Sequence, residues 1–403
     1  MPIVARHAHG GEPSKEPSIQ AAFNCQCTPL ESRISRQRNA GNSEAALLFV
    51  VAAVVAGPIV RGLFHACLLK THPPTKMSQH ADAAEQPPII SQAKKFKEIK
   101  NPTTGISYIL GDVLGHGSFG KVRRAICAQN MRCYAVKILH KKALLKQGAA
   151  AMVNREIECL RALSKSLTPC SNVVGLVDLI DTKRHPKIYM VFELVIGSDL
   201  QHMLGETSHR QMPNQLIRHL ARQLLDAIEF CHSNHVIHND IKPANMVLSS
   251  SFALKLADFG CSQLLSMYMD SDTVTTWGGS PAYQCPEQYS DTNENGWSGF
   301  KSDIWAAGVS LYQLATSFLP WKVCDGREID MGTLRHDIQS SDVDYSRIND
   351  PDLVCVLQNM LNRDPVKRML SGELKLLPYF GIDDFDPLLC ARQFSHTLKP
   401  KAL

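Results

Sequence analysis

The sequence predicts an α+β protein with a small β-rich lobe, about 105–195, followed by a larger helical lobe, about 196–380. From 105 to about 139, β-branched and aromatic residues cluster around short polar breaks, the pattern of hairpins. In "LIRHLARQLLDAIEFCHSN", Ile217, Leu220, Leu224, Ile228 and Cys231 recur at three- and four-residue spacing, one apolar helix stripe. Strands come first and helices afterwards, without the alternation of a doubly wound sheet.

The 403 residues are 44% apolar and 20% charged, enough to bury a large core. Of 43 basic and 38 acidic residues, 12 and 7 lie before 105, which leaves 31 of each in the rest. The net charge of +5 therefore sits in the N-terminal arm, and the neutral remainder gives no electrostatic case for nucleic acid. Thirteen scattered cysteines without a C-x-x-C pair suggest reduced thiols in the cytoplasm, or the nucleus, rather than a disulfide framework.

Residues 1–104 read as an arm. Positions 1–44 are polar, without apolar period, and are expected to be disordered. Cys25 and Cys27 lack a partner pair for a metal. The uncharged run 45–60, "AALLFVVAAVVAGPIV", is slightly short for a membrane span and carries Gly57-Pro58. It leaves open a membrane anchor, an apolar segment packed on the domain, or an upstream stretch missing from the protein, with Met77 as the start. Residues 71–104, with "THPPTK", "AEQPPIISQ" and the basic "KKFKEIK", read as a linker.

The domain begins with hairpins to about Leu139, turning at Gln129-Asn130. A helix is expected over 143–163, then strands over 172–195 ending in "YMVFEL", then helices. Residues 381–403 form a short tail that ends without a C-a-a-X box, so no prenylated tail is expected.

Four motifs carry chemistry. "LGHGSFGKV" holds Gly115, Gly117 and Gly120 as G-x-G-x-x-G-x-V, which grips phosphates either as a Rossmann turn or as the tip of a hairpin. No helix start follows Gly120, and the acidic residue a Rossmann unit needs is replaced by Lys137 within "YAVKIL". "VIHNDIKPANMVL" fits H-x-D-x-x-x-x-N with His238, Asp240 and Asn245, and "DFG" follows at Asp258. Five residues apart on a loop, Asp240 and Asn245 can face one cleft, the first to accept the proton of an attacking hydroxyl and the second to hold a metal. Asp258 supplies a carboxylate that holds Mg2+ against the β- and γ-phosphates.

With "REIECLRAL", "YMVFELV", "LKLADFG", "GSPAYQCPEQY", "GFKSDIWAAGVSLY" and "NRDPVKR" in family order, residues 105–380 resemble a eukaryotic protein kinase. The subfamily most resembled is the liver-kinase-B (PAR-4) serine/threonine kinases, on "GDVLGHGSFGKV", "GSPAYQCPE" and "SGFKSDIWAAGVSLYQL". The resemblance implies a bilobal kinase fold and transfer of the ATP γ-phosphate to protein Ser/Thr, with Mg2+, or Mn2+ as the alternative ion.

It also implies residue roles. Leu114, Gly115, His116, Gly117, Ser118, Phe119, Gly120, Lys121, Val122 and Ala135 surround the nucleotide. Lys137 holds its α- and β-phosphates and pairs with Glu156, for which Glu158 is the rival. Glu193 and Val195 offer backbone groups to adenine, with Phe192 behind. Lys242 joins Asp240 in catalysis, at the γ-phosphate. Asp303 is expected to hold catalytic-loop amides, Glu287 and Arg368 to form an ion pair, and His238 to pack rather than act as a base.

Asn239 departs from the pattern. Many kinases have Arg before the catalytic Asp, and the resembled subfamily has Lys; that cation receives an activation-loop phosphate. Asn is neutral, so Thr273, Thr275 and Thr276 are poor candidates for a phosphate switch. The subfamily alternative is a pseudokinase adaptor with an armadillo-like scaffold, in whose absence nothing is expected to hold Glu156 against Lys137. The relatives phosphorylate the activation loop of AMP-activated protein kinase and similar kinases, which makes such loops the implied substrates. Rival functions are an inactive pseudokinase scaffold, which would have lost Lys137, Asp240 or Asp258, and a membrane-anchored kinase resting on 45–60. A receptor would need an extracellular domain, for which 44 polar residues are too few.

Overall fold

The computed structural model describes residues 97–117, 120–183, 185–206, 211–266, 271–290, 295–321, 330–394 and 401–402. The apolar run 45–60, the Cys25/Cys27 pair and nearly all of the arm lie outside these residues. Among the described residues no helix is long and apolar enough to cross a membrane.

The small lobe is one antiparallel sheet. Its strands are β1 (Lys97–Lys100), β2 (Ser107–Gly117), β3 (Gly120–Cys127), β4 (Cys133–His140), β5 (Leu176–Ile180) and β6 (Lys187–Glu193), in the order β1-β2-β3-β4-β6-β5. Side chains alternate between two faces. Leu139, Ile188 and Met190 point inward to the core shared with the helices, while Tyr108, Ala125, Val136, Ile138, Tyr189 and Val191 form a second core on the outer face. Ile99 of β1 closes that outer core, so residues 97–100, expected within a linker, belong to the folded lobe. The strand segment KEIK holds a single apolar residue, Ile99, too little periodicity to reveal a strand. Asn101 fastens the segment by donating to Asp178 on β5 at 2.6 Å.

The helix expected over 143–163 is two helices, α1 (Lys141–Lys146) and α2 (Ala150–Ser164). Gly148, at φ 66°, adopts the left-handed conformation that ends the first. Val153, Ile157, Leu160 and Leu163 pack α2 into the main core, and Glu156 is buried with them.

The helical lobe starts with β7 (Ile196–Asp199), α3 (Leu200–Glu206) and α4 (Asn214–Ser233). The predicted stripe on α4 is buried as expected. Short strands β8 (Val236–Ile237), β9 (Met246–Ser249), β10 (Leu254–Leu256) and β11 (Gln263–Leu264) carry the loops that face the small lobe. After β12 (Thr273–Val274) and β13 (Trp297–Ser298) comes α5 (Gly299–Thr316), whose N-terminus is capped by the Ser298 hydroxyl accepting from the Lys301 amide at 3.1 Å. Nearly all of α5 is buried, which makes it the central post of the lobe. Then follow α6 (Met331–Ser340), which shares a core cluster with Trp305 and Val309 of α5, α7 (Pro351–Met360), which packs on α5, and α8 (Ser371–Leu374), which packs on α4.

Part of the expected tail is also structured. Phe385 stacks on His219 with ring centres 3.7 Å apart, Asp384 pairs with Arg218 at 2.6 Å, and buried Cys390 lies on α9 (Pro387–Phe394). A final strand, β14 (Lys401–Ala402), pairs with β7.

Candidate active site

The glycine motif is the hairpin tip between β2 and β3, with Gly117 opposite Gly120. This settles the Rossmann alternative against a helix. A Cβ on Gly120 would stand 1.9 Å from the Ile138 carbonyl oxygen, so β3 can approach β4 there only without a side chain. Leu114, Gly115, His116, Gly117, Gly120 and Val122 lie on the hairpin, while Ser118 and Phe119 fall outside the described residues. Lys121 stands opposite Ile138 on the outer face, so only its backbone faces the cleft. Val122 stands opposite Lys137, and Ala135 opposite Phe192, all on the inner face.

Lys137 donates to Glu156 at 2.5 Å and lies 3.7 Å from Asp258. The pair therefore forms within this chain alone, contrary to the expectation that nothing would hold it. Burial pulls the Lys137 ammonium down, but Glu156 and Asp258 outweigh it and leave the group raised, so it stays charged. The Glu193 carboxylate accepts from the Gly175 amide at 2.8 Å and from Lys255 at 2.9 Å. This fixes the segment 193–195 between the lobes, with Val195 half-buried beside it.

The catalytic loop follows β8. Asp303, 1% exposed on α5, accepts from the amides of His238 at 2.9 Å and Asn239 at 2.8 Å, and from the His232 ring at 2.9 Å. A buried carboxylate is tolerable only with its acceptors filled in this way. The His238 ring meets the Ala257 carbonyl at 3.1 Å and lies edge-on to Phe259, as expected of a packing residue. Asn239 and Asp258 adopt φ of 63° and 60°. Such left-handed residues cost about 1–3 kcal/mol and persist where surrounding contacts impose them, typically at functional sites.

Asp240 is held by three side chains. Lys242 donates to it at 2.8 Å, Asn245 at 3.0 Å and the Ser280 hydroxyl at 2.9 Å, and Lys242 also donates to Ser280 at 2.7 Å. Nothing local in "GSPAY" gives Ser280 this role. It lies forty residues downstream, and only the fold brings it to Asp240. Gly279, at φ 80°, makes this possible, since a Cβ there would meet the Asn239 carbonyl at 2.2 Å.

The donor set suits a cation carried in with a nucleotide. Asn245 spends its amide nitrogen on Asp240, and its amide oxygen accepts no hydrogen bond among the described residues. Asp258 is more than half exposed beside it in the cleft. One carboxylate and one amide oxygen are too few for a cage, and among the described residues no cluster of three His, Cys, Asp or Glu completes one. Phosphate oxygens and water normally complete such a Mg2+ shell.

Asn239 forms no ion pair; its amide donates to the Cys261 carbonyl at 3.3 Å. Gln263 likewise donates to the Thr276 carbonyl at 3.3 Å, a second neutral tie on the activation segment that sequence reasoning missed. Farther out, Arg368 is fully buried and donates to both oxygens of Glu287, at 2.6 and 3.0 Å.

A family profile described as "Protein kinase domain" matches residues 108–380. The chain is 35% identical over 274 residues to "Serine/threonine-protein kinase STK11" of Gallus gallus, covering 68% of this chain and 59% of that protein. It is 33% identical over 296 residues to "Serine/threonine-protein kinase stk11 homolog" of Dictyostelium discoideum, covering 71% and 48%. It is 31% identical over 283 residues to "CBL-interacting serine/threonine-protein kinase 15" of Arabidopsis thaliana, covering 70% and 63%. The chain thus spans about three fifths or less of the length of the STK11-type relatives it matches. Profile, relatives and the Lys137–Glu156–Asp258–Asp240 geometry agree: the chain belongs to the protein kinase family.

Proposed function

We propose that the chain is an active serine/threonine protein kinase that transfers the ATP γ-phosphate to protein hydroxyls. The observation that carries this reading is the intact arrangement around Asp240, braced by Lys242, Asn245 and Ser280, with Lys137 seated on Glu156. Asp240 accepts the proton of the incoming hydroxyl, and Lys242 stands beside it to meet charge on the transferred group. Lys137 orients the nucleotide phosphates, and Asn245 and Asp258 would hold Mg2+, which neutralises phosphate charge when bound. A pseudokinase reading is disfavoured because none of these side chains is missing.

The test is transfer of labelled γ-phosphate to a generic Ser/Thr peptide, with identification of the phosphorylated residue. Wild type should label Ser or Thr, whereas Lys137→Met and Asp258→Ala should lose nearly all transfer. Wild type that binds ATP without transfer would favour the pseudokinase reading.

The finer reading is an upstream activating kinase of other kinases, of the AMP-activated type, controlled by a pseudokinase adaptor with an armadillo-like scaffold. Likeness to the STK11 proteins supports it, as do the neutral Asn239 and Gln263, which offer a loop phosphate no cation. Because the Lys137–Glu156 pair forms without partners, an adaptor would act by raising the population of this arrangement. Phosphatase-treated chain should gain activity on addition of such partners without new phosphate on the loop. A strict need for loop phosphate would exclude adaptor control.

A further inference from the structure

The outer face of the small lobe carries a group of cations that the cleft does not use. Strand register sets their places: Lys121 opposite Ile138, His140 opposite Lys187, and Tyr189 also opposite Ile138. Cross-strand partners share a face, as do residues two apart, so Lys121, His140 and Lys187 surround one end of the outer core. Lys97 stands two residues from buried Ile99 and so faces the sheet, its ammonium 6.0 Å from the centre of the Tyr189 ring. His185 meets the same ring edge-on at 5.6 Å.

Acids of the neighbouring elements are engaged or point elsewhere. Asp181 pairs with Lys141 at 2.6 Å, and Asp178 accepts from Asn101 and Tyr108. Glu98 lies on the opposite side of β1 from Lys97.

Two further observations favour an anion as the ligand of this face. Tyr189 is 1% exposed, and its hydroxyl has no hydrogen-bond partner among the described residues. Burying an unpaired hydroxyl is costly unless something completes it. In addition, His140 is held below its ordinary range by burial and by Lys187, Lys121 and Lys97, and Lys187 by burial and by Lys97 and Lys121. The group repels itself, and with 31 basic and 31 acidic residues from 105 onward, no general basicity of the domain accounts for it.

We propose that this end of the sheet recognises a phosphoserine or phosphothreonine on a protein partner. Three lysines and two histidines at one end of the sheet, of which Lys97 and His185 meet the Tyr189 ring, fit a compact dianion better than an extended nucleic-acid backbone. Membrane docking adds exposed apolar side chains to the cations, and the apolar residues among these, Ile138 and Tyr189, are buried.

The test uses full-length chain with its cleft saturated by a non-hydrolysable nucleotide. Anisotropy of a labelled Gly/Ser peptide bearing one phosphothreonine is compared with its unphosphorylated form. Wild type should prefer the phosphopeptide by about tenfold or more, and Lys97→Gln/Lys187→Gln should lose that preference. The same variant should melt no lower than wild type, because repulsion is relieved, and should phosphorylate a generic peptide normally. Equal binding of both peptides, a preference retained in the variant, or loss of the preference in chloride at matched modest ionic strength would overturn the proposal. Binding only to phosphoinositide vesicles would overturn it in favour of a lipid surface.

Discussion

A carboxylate can serve as a proton acceptor only if its neighbours hold it in place without taking its role, and Asp240 meets this with three donors from two segments. Ser280→Ala removes one of them and should lower peptide phosphorylation while leaving ATP binding intact, as seen by comparing kcat with the KM for ATP. Asp303 is a positioning residue of a different kind. Its replacement by Ala strands two buried amides, so unfolding by denaturant should show a loss of about 2–5 kcal/mol. The Lys137 ammonium is raised above 10.5, so the stability its pairing gives is fully present below that value and is lost as pH rises through the folded one. The rate should therefore show no inflection from the Lys137 ammonium between about pH 6 and pH 9. Asp240, Asn245, Asp258 and Lys137 were legible because each sits at a fixed offset in a local motif. Ser280 and Gln263 were not, since their partners are set by the folded loop.

At the level of elements, the activation segment is tied by neutral amides and glycines. Gly279→Ala forces a side chain into the Asn239 carbonyl at a left-handed position, so Ser280 must shift. A displacement of about 1 Å can cost roughly 10²-fold, and peptide transfer should fall by that order with nucleotide affinity kept. Replacing Thr273, Thr275 and Thr276 together by Ala should leave activity within about threefold, since no cation waits for a phosphate at Asn239 or Gln263. A loss beyond that would show that the loop is held by phosphate through another group. Element types were legible where periodicity was strong, as in α4 and the β2–β4 hairpins. β1 was hidden by its lysines, and the break at Gly148 by the continuous apolar pattern around it.

Across the whole molecule, α5 supports the catalytic loop within the helical lobe, while α2 brings Glu156 to Lys137 within the small lobe. The two-lobed arrangement was legible because the strand pattern gives way to the helical one near 196. The structured part of the tail was not, because its contacts, Phe385 on His219 and Asp384 with Arg218, join residues far apart in sequence. The central claim is that this assembled site transfers phosphate with Asp240 as proton acceptor. The most direct measurement is the single-turnover rate of phosphate transfer by Asp240→Asn, alongside its ATP affinity and melting temperature. The account predicts a rate lower by at least about 10²-fold with affinity and melting temperature near those of wild type. A rate close to wild type in a folded, ATP-bound variant would contradict it.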